Sequence, residues 1–174
     1  MGRRSNFERI PKDRYETVDK RASRALLPFI PDNVTYYEPC CASGKLIEQF
    51  NEHRIRCVGY SDIDTGVDAL TLESQHLNDA DLLITNPPFT RQLLHALIYH
   101  LSALKPTWLL IDSNWAHTAQ ASEIITKLCT DEVMIGRLIW IEGTKTAGKE
   151  DHSWFRFSTD KAGPMTYHPK NVNK

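Results

Sequence analysis

Long hydrophobic runs are missing from this 174-residue sequence. The longest, Trp108-Leu109-Leu110-Ile111 and Val133 to Ile141, fall far short of the roughly 20 residues that a membrane-spanning helix requires, so no membrane partner is expected. A secretory signal is not expected either, because Met1-Gly2-Arg3-Arg4-Ser5-Asn6 leads into polar rather than apolar sequence. Cysteine is scarce: Cys40, Cys41, Cys57 and Cys129 lack paired-motif spacing, and two adjacent cysteines do not easily bridge each other. They read as reduced thiols of a cytoplasmic protein, filling core positions as small apolar residues. The seven histidines form no H-x-x-x-H or H-E-x-x-H pattern, and His95 and His100, five apart, fall on different helical faces. No metal is therefore expected. Internal repeats and low-complexity stretches are also absent.

What is present is the makeup of one ordinary globular domain, with 41% hydrophobic and 25% charged residues in a length that suits a single core. Net charge is only −1 but unevenly spread. Residues 1–24 hold eight basic side chains against four acids, a net +4, and residues 161–174 add Lys161, Lys170 and Lys174 with no acid, leaving −8 on residues 25–160. Basic ends on an acidic body read either as solvated tails or as a grip for nucleic acid.

Residues 1–14 are polar, and Thr17 to Phe29 carries a helical stripe of Val18, Ala22, Ala25, Leu26 and Phe29, stopped by Pro28 and Pro31. A first strand at Val34 to Tyr37 runs into a turn of small residues, followed by a helix over Lys45 to Glu52 with Leu46, Ile47 and Phe50 on its apolar face. Strands are expected at Ile55 to Tyr60, Asp81 to Thr85, Trp108 to Asp112, Val133 to Ile141 and Ser153 to Ser158, with helices at Gln92 to Leu104 and Thr118 to Cys129. Alternation at this spacing predicts an α/β sandwich with a mainly parallel sheet, whose ligand sites lie at the carboxyl ends of strands.

Three segments fall at such ends. Glu38-Pro39-Cys40-Cys41-Ala42-Ser43-Gly44 follows the first strand; its small residues admit a ligand close to the backbone, Gly44 reaches conformations barred to β-branched residues, and the helix start offers N–H groups to an anion. Asp62, just past the second strand, suits two ribose hydroxyls or a turn cap equally well. Thr85-Asn86-Pro87-Pro88-Phe89 ends a strand in a proline-fixed turn. Its prolines lack N–H groups, so the turn displays carbonyls, and the amide of Asn86 adds an acceptor. Such acceptors suit the two N–H bonds of an exocyclic amine, while Phe89 suits stacking on a flat ring, worth about 1–3 kcal/mol per base.

The first and third of these segments resemble the cofactor and catalytic motifs of N6-adenine DNA methyltransferases, in the same order. Tyr15-Glu16-Thr17 resembles the segment that closes over the methionine end of the cofactor in that family. Ser61-Asp62-Ile63 followed by Gly66-Val67-Asp68-Ala69-Leu70 is similar to small methylases of phages and prophages, and Asp151-His152-Ser153-Trp154-Phe155 resembles a late strand near their target pocket. The resemblance spans residues 15–158. It implies a Rossmann-like class I methyltransferase fold, with a mainly parallel seven-stranded sheet and helices on both faces. The division implied is a flexible basic segment at 1–14, a catalytic domain at 15–158 and a basic tail at 159–174.

The implied cofactor is S-adenosyl-L-methionine, held by Thr17, Glu38, Pro39, Cys40, Ala42, Gly44, Asp62 at the ribose, Asp68 at the adenine, and Asn86. The implied catalytic turn is Asn86, Pro87, Pro88 and Phe89, and the implied reaction is direct in-line transfer to adenine N6, with the base flipped out of duplex DNA. Asp112, Asn114 and Trp115 are candidates for the target pocket, with a helix cap for Asn114 and packing for Trp115 as alternatives. Ala42 stands where the family usually has glycine. Sequence-specific members usually carry a target-recognition domain that does not follow the catalytic sheet here, so relaxed specificity, a recognition partner or a homodimer is expected. The rival readings are N2-guanine or N6-adenine in RNA, a protein glutamine, and a non-catalytic module that binds cofactor or nucleic acid.

Overall fold

The computed structural model describes residues 14–170. The flexible basic segment expected at 1–14 lies, Arg14 excepted, outside the described residues, as does Lys174 of the expected tail. The elements are α1 (Arg21–Leu26), β1 (Thr35–Glu38), α2 (Lys45–Glu52), β2 (Arg56–Tyr60), β3 (Leu82–Thr85), α3 (Arg91–Leu104), β4 (Thr107–Asp112), α4 (Ala119–Leu128), β5 (Cys129–Arg137), β6 (Asp151–Phe157) and β7 (Thr166–His168). They form a seven-stranded sheet in the order β2-β1-β3-β4-β6-β5-β7. β2, β1, β3 and β4 pair in parallel, β6 pairs antiparallel with both β4 and β5, and β7 pairs in parallel with β5. Only β6 therefore runs against the rest of this sheet. Asp112 at the end of β4 stands opposite His152 near the start of β6, so the start of β6 joins the carboxyl ends of β1 to β4 on one edge.

Alternation along the strands divides the core in two, because successive side chains leave opposite faces. Tyr37, Leu83, Leu109, Ile111, Phe155 and Phe157 pack beneath α3 and α4, which contribute Leu94, Leu97, Ile98, Leu101, Ile124 and Leu128. Tyr36, Leu82, Ile84, Trp108, Leu110 and Trp154 face the other way, onto Ala22 and Leu26 of α1 and Leu46 and Phe50 of α2. Register at the entrance of β1 and β3 is pinned by Asp81, whose Oδ2 accepts from Thr35 N at 2.8 Å and Thr35 Oγ1 at 2.9 Å. Gly59 is required by closeness: a Cβ there would come within 2.7 Å of the Tyr37 ring. All four cysteines are free. No helix among the described residues is long and apolar enough to cross a membrane.

Three expected boundaries shift. The fifth strand begins at Cys129, directly after α4, and ends at Arg137, whereas the sequence pattern put it over Val133 to Ile141. Thr130, Asp131 and Glu132 look like a loop in sequence, but Asp131 and Glu132 occupy ladder positions because β6 and β7 supply partners, and Thr130 falls at a register shift in the same strand. Ser153 Oγ donates to Glu132 Oε1 at 2.9 Å, and His168 Nε2 lies 3.0 Å from Asp131 Oδ1. Leu138 to Ile141 then leave the sheet. The first helix is shorter than its stripe, with Leu27–Phe29 completing it as a 3₁₀ turn around Pro28. Residues 166–168, within the segment expected as a tail, form edge strand β7.

Trp154 ties α1 to the sheet: its ring is fully buried and Nε1 donates to Ala22 O at 2.8 Å. Trp154→Phe removes that bond and part of the packing, so urea denaturation is expected to show a loss of about 2–3 kcal/mol.

Candidate active site

Two cavities open on the edge where the strand ends gather. The larger, about 550 Å³, lies over the ends of β1, β2 and β3 and is roofed by Arg14 to Thr17. Of the residues expected to hold a cofactor, it brings together Thr17, Glu38, Pro39, Cys40, Ala42, Asp62, Asp68 and Asn86 on its walls, with Pro88 beside them. Gly44 and Pro87 are not among its lining residues. The second cavity, about 390 Å³, takes Phe89 together with Asp112, Asn114, Trp115, Trp140 and His152. Tyr15 lines both cavities.

The loop after β1 owes its shape to local backbone demands. Gly44 sits at φ +87 as the cap of α2, in the left-handed region, and a Cβ there would meet nothing, so conformation and not space selects glycine. Ala42 also sits at positive φ, +46, a conformation that costs a residue with a Cβ about 1–2 kcal/mol. Asp62 holds it there, since Ala42 N donates to Asp62 Oδ2 at 2.8 Å. The other oxygen, Oδ1, accepts from Asp64 N at 2.9 Å and caps the turn 63–65. The cap expected as an alternative for Asp62 is thus present, and each carboxylate oxygen keeps a second lone pair. Asp68 caps the turn 69–71 in the same way, through Leu70 N at 2.9 Å.

Three acceptors in the larger cavity are buried without a partner: Glu38 Oε2, Thr17 Oγ1 and Asn86 Oδ1. Burial pushes the Glu38 carboxyl well above the usual carboxylate range, and the nearby negative charge of Asp62 adds to the shift. A cation seated there would restore the charged form. Burial also raises the thiols of Cys40, to about 12, and Cys41, to about 11, so neither supplies a thiolate nucleophile near neutral pH. Asn86 is oriented by the roof: its Nδ2 donates to Tyr15 O at 2.8 Å, while its Oδ1 is buried without a partner.

The second cavity has flat walls. Phe89 stands edge-to-face with Trp140 at 5.9 Å and with His152 at 6.1 Å, and Trp140 meets His152 at 4.8 Å and Tyr15 at 6.2 Å. Gly148 lies against Trp140, where a Cβ would come within 3.1 Å of the indole. Asn114 Nδ2 bridges Asp112 Oδ1 at 3.1 Å and Glu150 Oε2 at 3.2 Å. Trp115 is mainly a packing residue, as one reading of the sequence had it: it is buried and its Nε1 donates to His95 Nε2 at 2.9 Å.

Sequence reasoning missed Trp140 because the run Val133 to Ile141 looked like uninterrupted strand. It missed Tyr15 as a wall of the target cavity, although Tyr15-Glu16-Thr17 had been singled out for the cofactor. His152 was reached only as part of a segment; nothing local distinguishes a histidine that faces a cavity from one that does not.

The chain matches no protein-family model and no curated protein sequence, but its fold recurs among solved structures. A Vibrio vulnificus protein assigned as the modification subunit of a type I restriction enzyme aligns over 92% of this chain with a TM-score of 0.54 and 13% identity. A Listeria monocytogenes protein assigned as a class I S-adenosylmethionine-dependent methyltransferase aligns over 89% with a TM-score of 0.52 and 9% identity. The fold is that of the class I methyltransferases. This chain spans about half of the Vibrio vulnificus protein, 48%, and 64% of the Listeria monocytogenes protein. In this class I fold the carboxyl-end edge is where the two cavities lie.

Glu38 gives the site a pH signature. Its folded pKa is raised, so its contribution to stability is complete below the ordinary carboxyl value of 4.5 and is lost as pH rises through the folded value. Glu38→Gln cannot ionise. Melting curves across pH are expected to show wild type losing stability relative to the variant as pH rises above the ordinary carboxyl range; parallel curves would contradict a buried carboxyl at this position.

Proposed function

We propose that the protein is an S-adenosylmethionine-dependent methyltransferase acting on an exocyclic amino nitrogen, N6 of adenine in DNA. The observation that carries this reading is Asn86. Its amide is fixed by the Tyr15 carbonyl, and its Oδ1 is buried without a partner in the wall of the larger cavity. A buried acceptor without a partner costs roughly 1–3 kcal/mol, and an amine N–H would satisfy it.

The larger cavity fits the cofactor. Its volume lies within the range of about 300–1,000 Å³ usual for small-molecule sites. Glu38 Oε2 would take an ammonium group, the amino end of α2 a carboxylate, and the second lone pairs of Asp62 a ribose diol, with Ile63, Leu93 and Leu97 as apolar walls for a purine. When bound, the cofactor supplies a methyl group on a positively charged sulfur. The protein's own work is positioning: Asn86 Oδ1 and the Pro87 carbonyl would hold the two N–H bonds of the amine, and Phe89, Trp140 and His152 would hold the ring.

Flat aromatic walls favour a nucleobase over a glutamine side chain. A DNA target is in keeping with the restriction-enzyme assignment of the Vibrio vulnificus protein that shares the fold. The catalytic unit we propose is 15–158, onto which 159–170 adds β7. The basic ends become a weaker candidate for gripping phosphates. Lys20 pairs with Glu52, Arg21 with Asp19 and Arg14 with Asp64, while Lys161 Nζ donates to the carbonyls of Ile125 and Thr126 at the end of α4.

Labelled cofactor incubated with separate pools of duplex DNA, RNA and protein tests the reading. Label is expected in DNA, on adenine. Asn86→Ala is expected to lower transfer by about 10²–10³-fold and to leave cofactor affinity nearly unchanged. Transfer to protein alone would overturn the nucleobase reading, and an active Asn86→Ala would remove Asn86 from the chemistry.

A further inference from the structure

The second cavity contains a base that the reading above uses only as a wall. His152 is buried, near the start of β6. Its Nδ1 lies 3.1 Å from the Glu150 carbonyl. A carbonyl only accepts, so Nδ1 must carry the proton, and Nε2 is left as an unprotonated acceptor. The ring is held between Trp140 at 4.8 Å and Phe89 at 6.1 Å, the same Phe89 on which the target base would stack. The imidazole thus has a fixed tautomer, fixed packing and a place on the wall of the target cavity.

Methylation of an amine leaves a proton to be removed. The nitrogen lone pair forms the new C–N bond, the bond from methyl to sulfur breaks with its electron pair retained by sulfur, and one N–H proton must depart. Asn86 Oδ1 and the Pro87 carbonyl can accept a hydrogen bond but cannot hold a proton at neutral pH. Among the groups lining the second cavity, Asp112 and Glu150 are carboxylates already bound to Asn114 Nδ2, and carboxylates are weak bases at pH 7. Arg91 and Lys149 are cations with no free lone pair to accept a proton.

We infer that His152 Nε2 is the proton acceptor of the transfer, taking the amine proton directly or through one water and releasing it to solvent as product leaves. This rests on the methyltransferase reading given above. The surroundings suit the role. Burial lowers the imidazole from its ordinary value of 6.5, against the opposing influence of Asp112 on β4, Glu150 before β6 and Asp151 on β6 itself. The base is consequently neutral and ready at physiological pH. Asp112 and Glu150 are also placed to stabilise the imidazolium that forms, while Arg91 at the start of α3 and Lys149 in the loop before β6 oppose it.

The test is the pH dependence of kcat at saturating cofactor, for wild type, His152→Phe and His152→Gln, on the DNA substrate. Wild type is expected to be flat above pH 6.5 and to fall below it. Both variants are expected to lose about 10²-fold or more in kcat, to keep cofactor affinity and to lose that acidic limb. His152→Phe keeps a flat ring, so a loss shared by both variants is not a loss of packing. A wild type that methylates DNA without an acidic limb in kcat overturns the proposal with no mutant needed. So does a limb that persists in both variants, which would belong to another group such as Glu38, and so does full activity in either variant. A wild type that methylates no nucleic acid overturns the reading beneath it and the proposal together.

Discussion

The direction of the strands is the constraint on which the site depends. Because β1, β2, β3 and β4 run the same way, the residues at or just past their ends, Glu38, Asp62, Asn86 and Asp112, emerge on one edge of the sheet. The reversed strand β6 adds its beginning to that edge, and this brings His152 opposite Asp112. Contacts between the loops then fix the edge: Ala42 N and Asp64 N share the carboxylate of Asp62, and Ser61 N donates to Glu38 O at 2.9 Å. A strained residue at Ala42 is tolerated because its N–H is held by a buried carboxylate.

The two cavities are joined by one residue of the roof. Tyr15 offers its carbonyl to the Asn86 amide and its ring to Trp140, so the orientation of Asn86 and the wall of the second cavity depend on the same short segment. That segment is itself fastened by Glu16, which accepts from Ser43 Oγ at 2.7 Å, and by the Thr17 carbonyl, which accepts from Gln49 Nε2 at 2.6 Å. Polar groups left unpaired in the cavity are costly in a folded protein. Glu38 Oε2, Thr17 Oγ1 and Asn86 Oδ1 all point to a partner with an ammonium, hydroxyl or amine donor.

Sequence carried the parts of this arrangement that are encoded locally. α2 follows directly from its apolar spacing and the preceding Gly44, and the turn at Asn86 to Phe89 is written in two prolines. The first residues of β5 and the whole of β7 were not legible, because their membership depends on partners distant in sequence: Asp131 and Glu132 are polar and become strand only through β6 and β7. The same applies to the second cavity. Trp140 lies past the end of β5 with Gly148 packed against it, and His152 reaches the cavity wall through an antiparallel pairing that no periodicity announces.

If the cavity over β1, β2 and β3 holds the cofactor, calorimetric titration with S-adenosylhomocysteine will show it. One-to-one binding is expected for wild type, and markedly weaker binding for Asp62→Ala. Absence of heat with the folded wild type, or equal affinity in the variant, would contradict a cofactor site there.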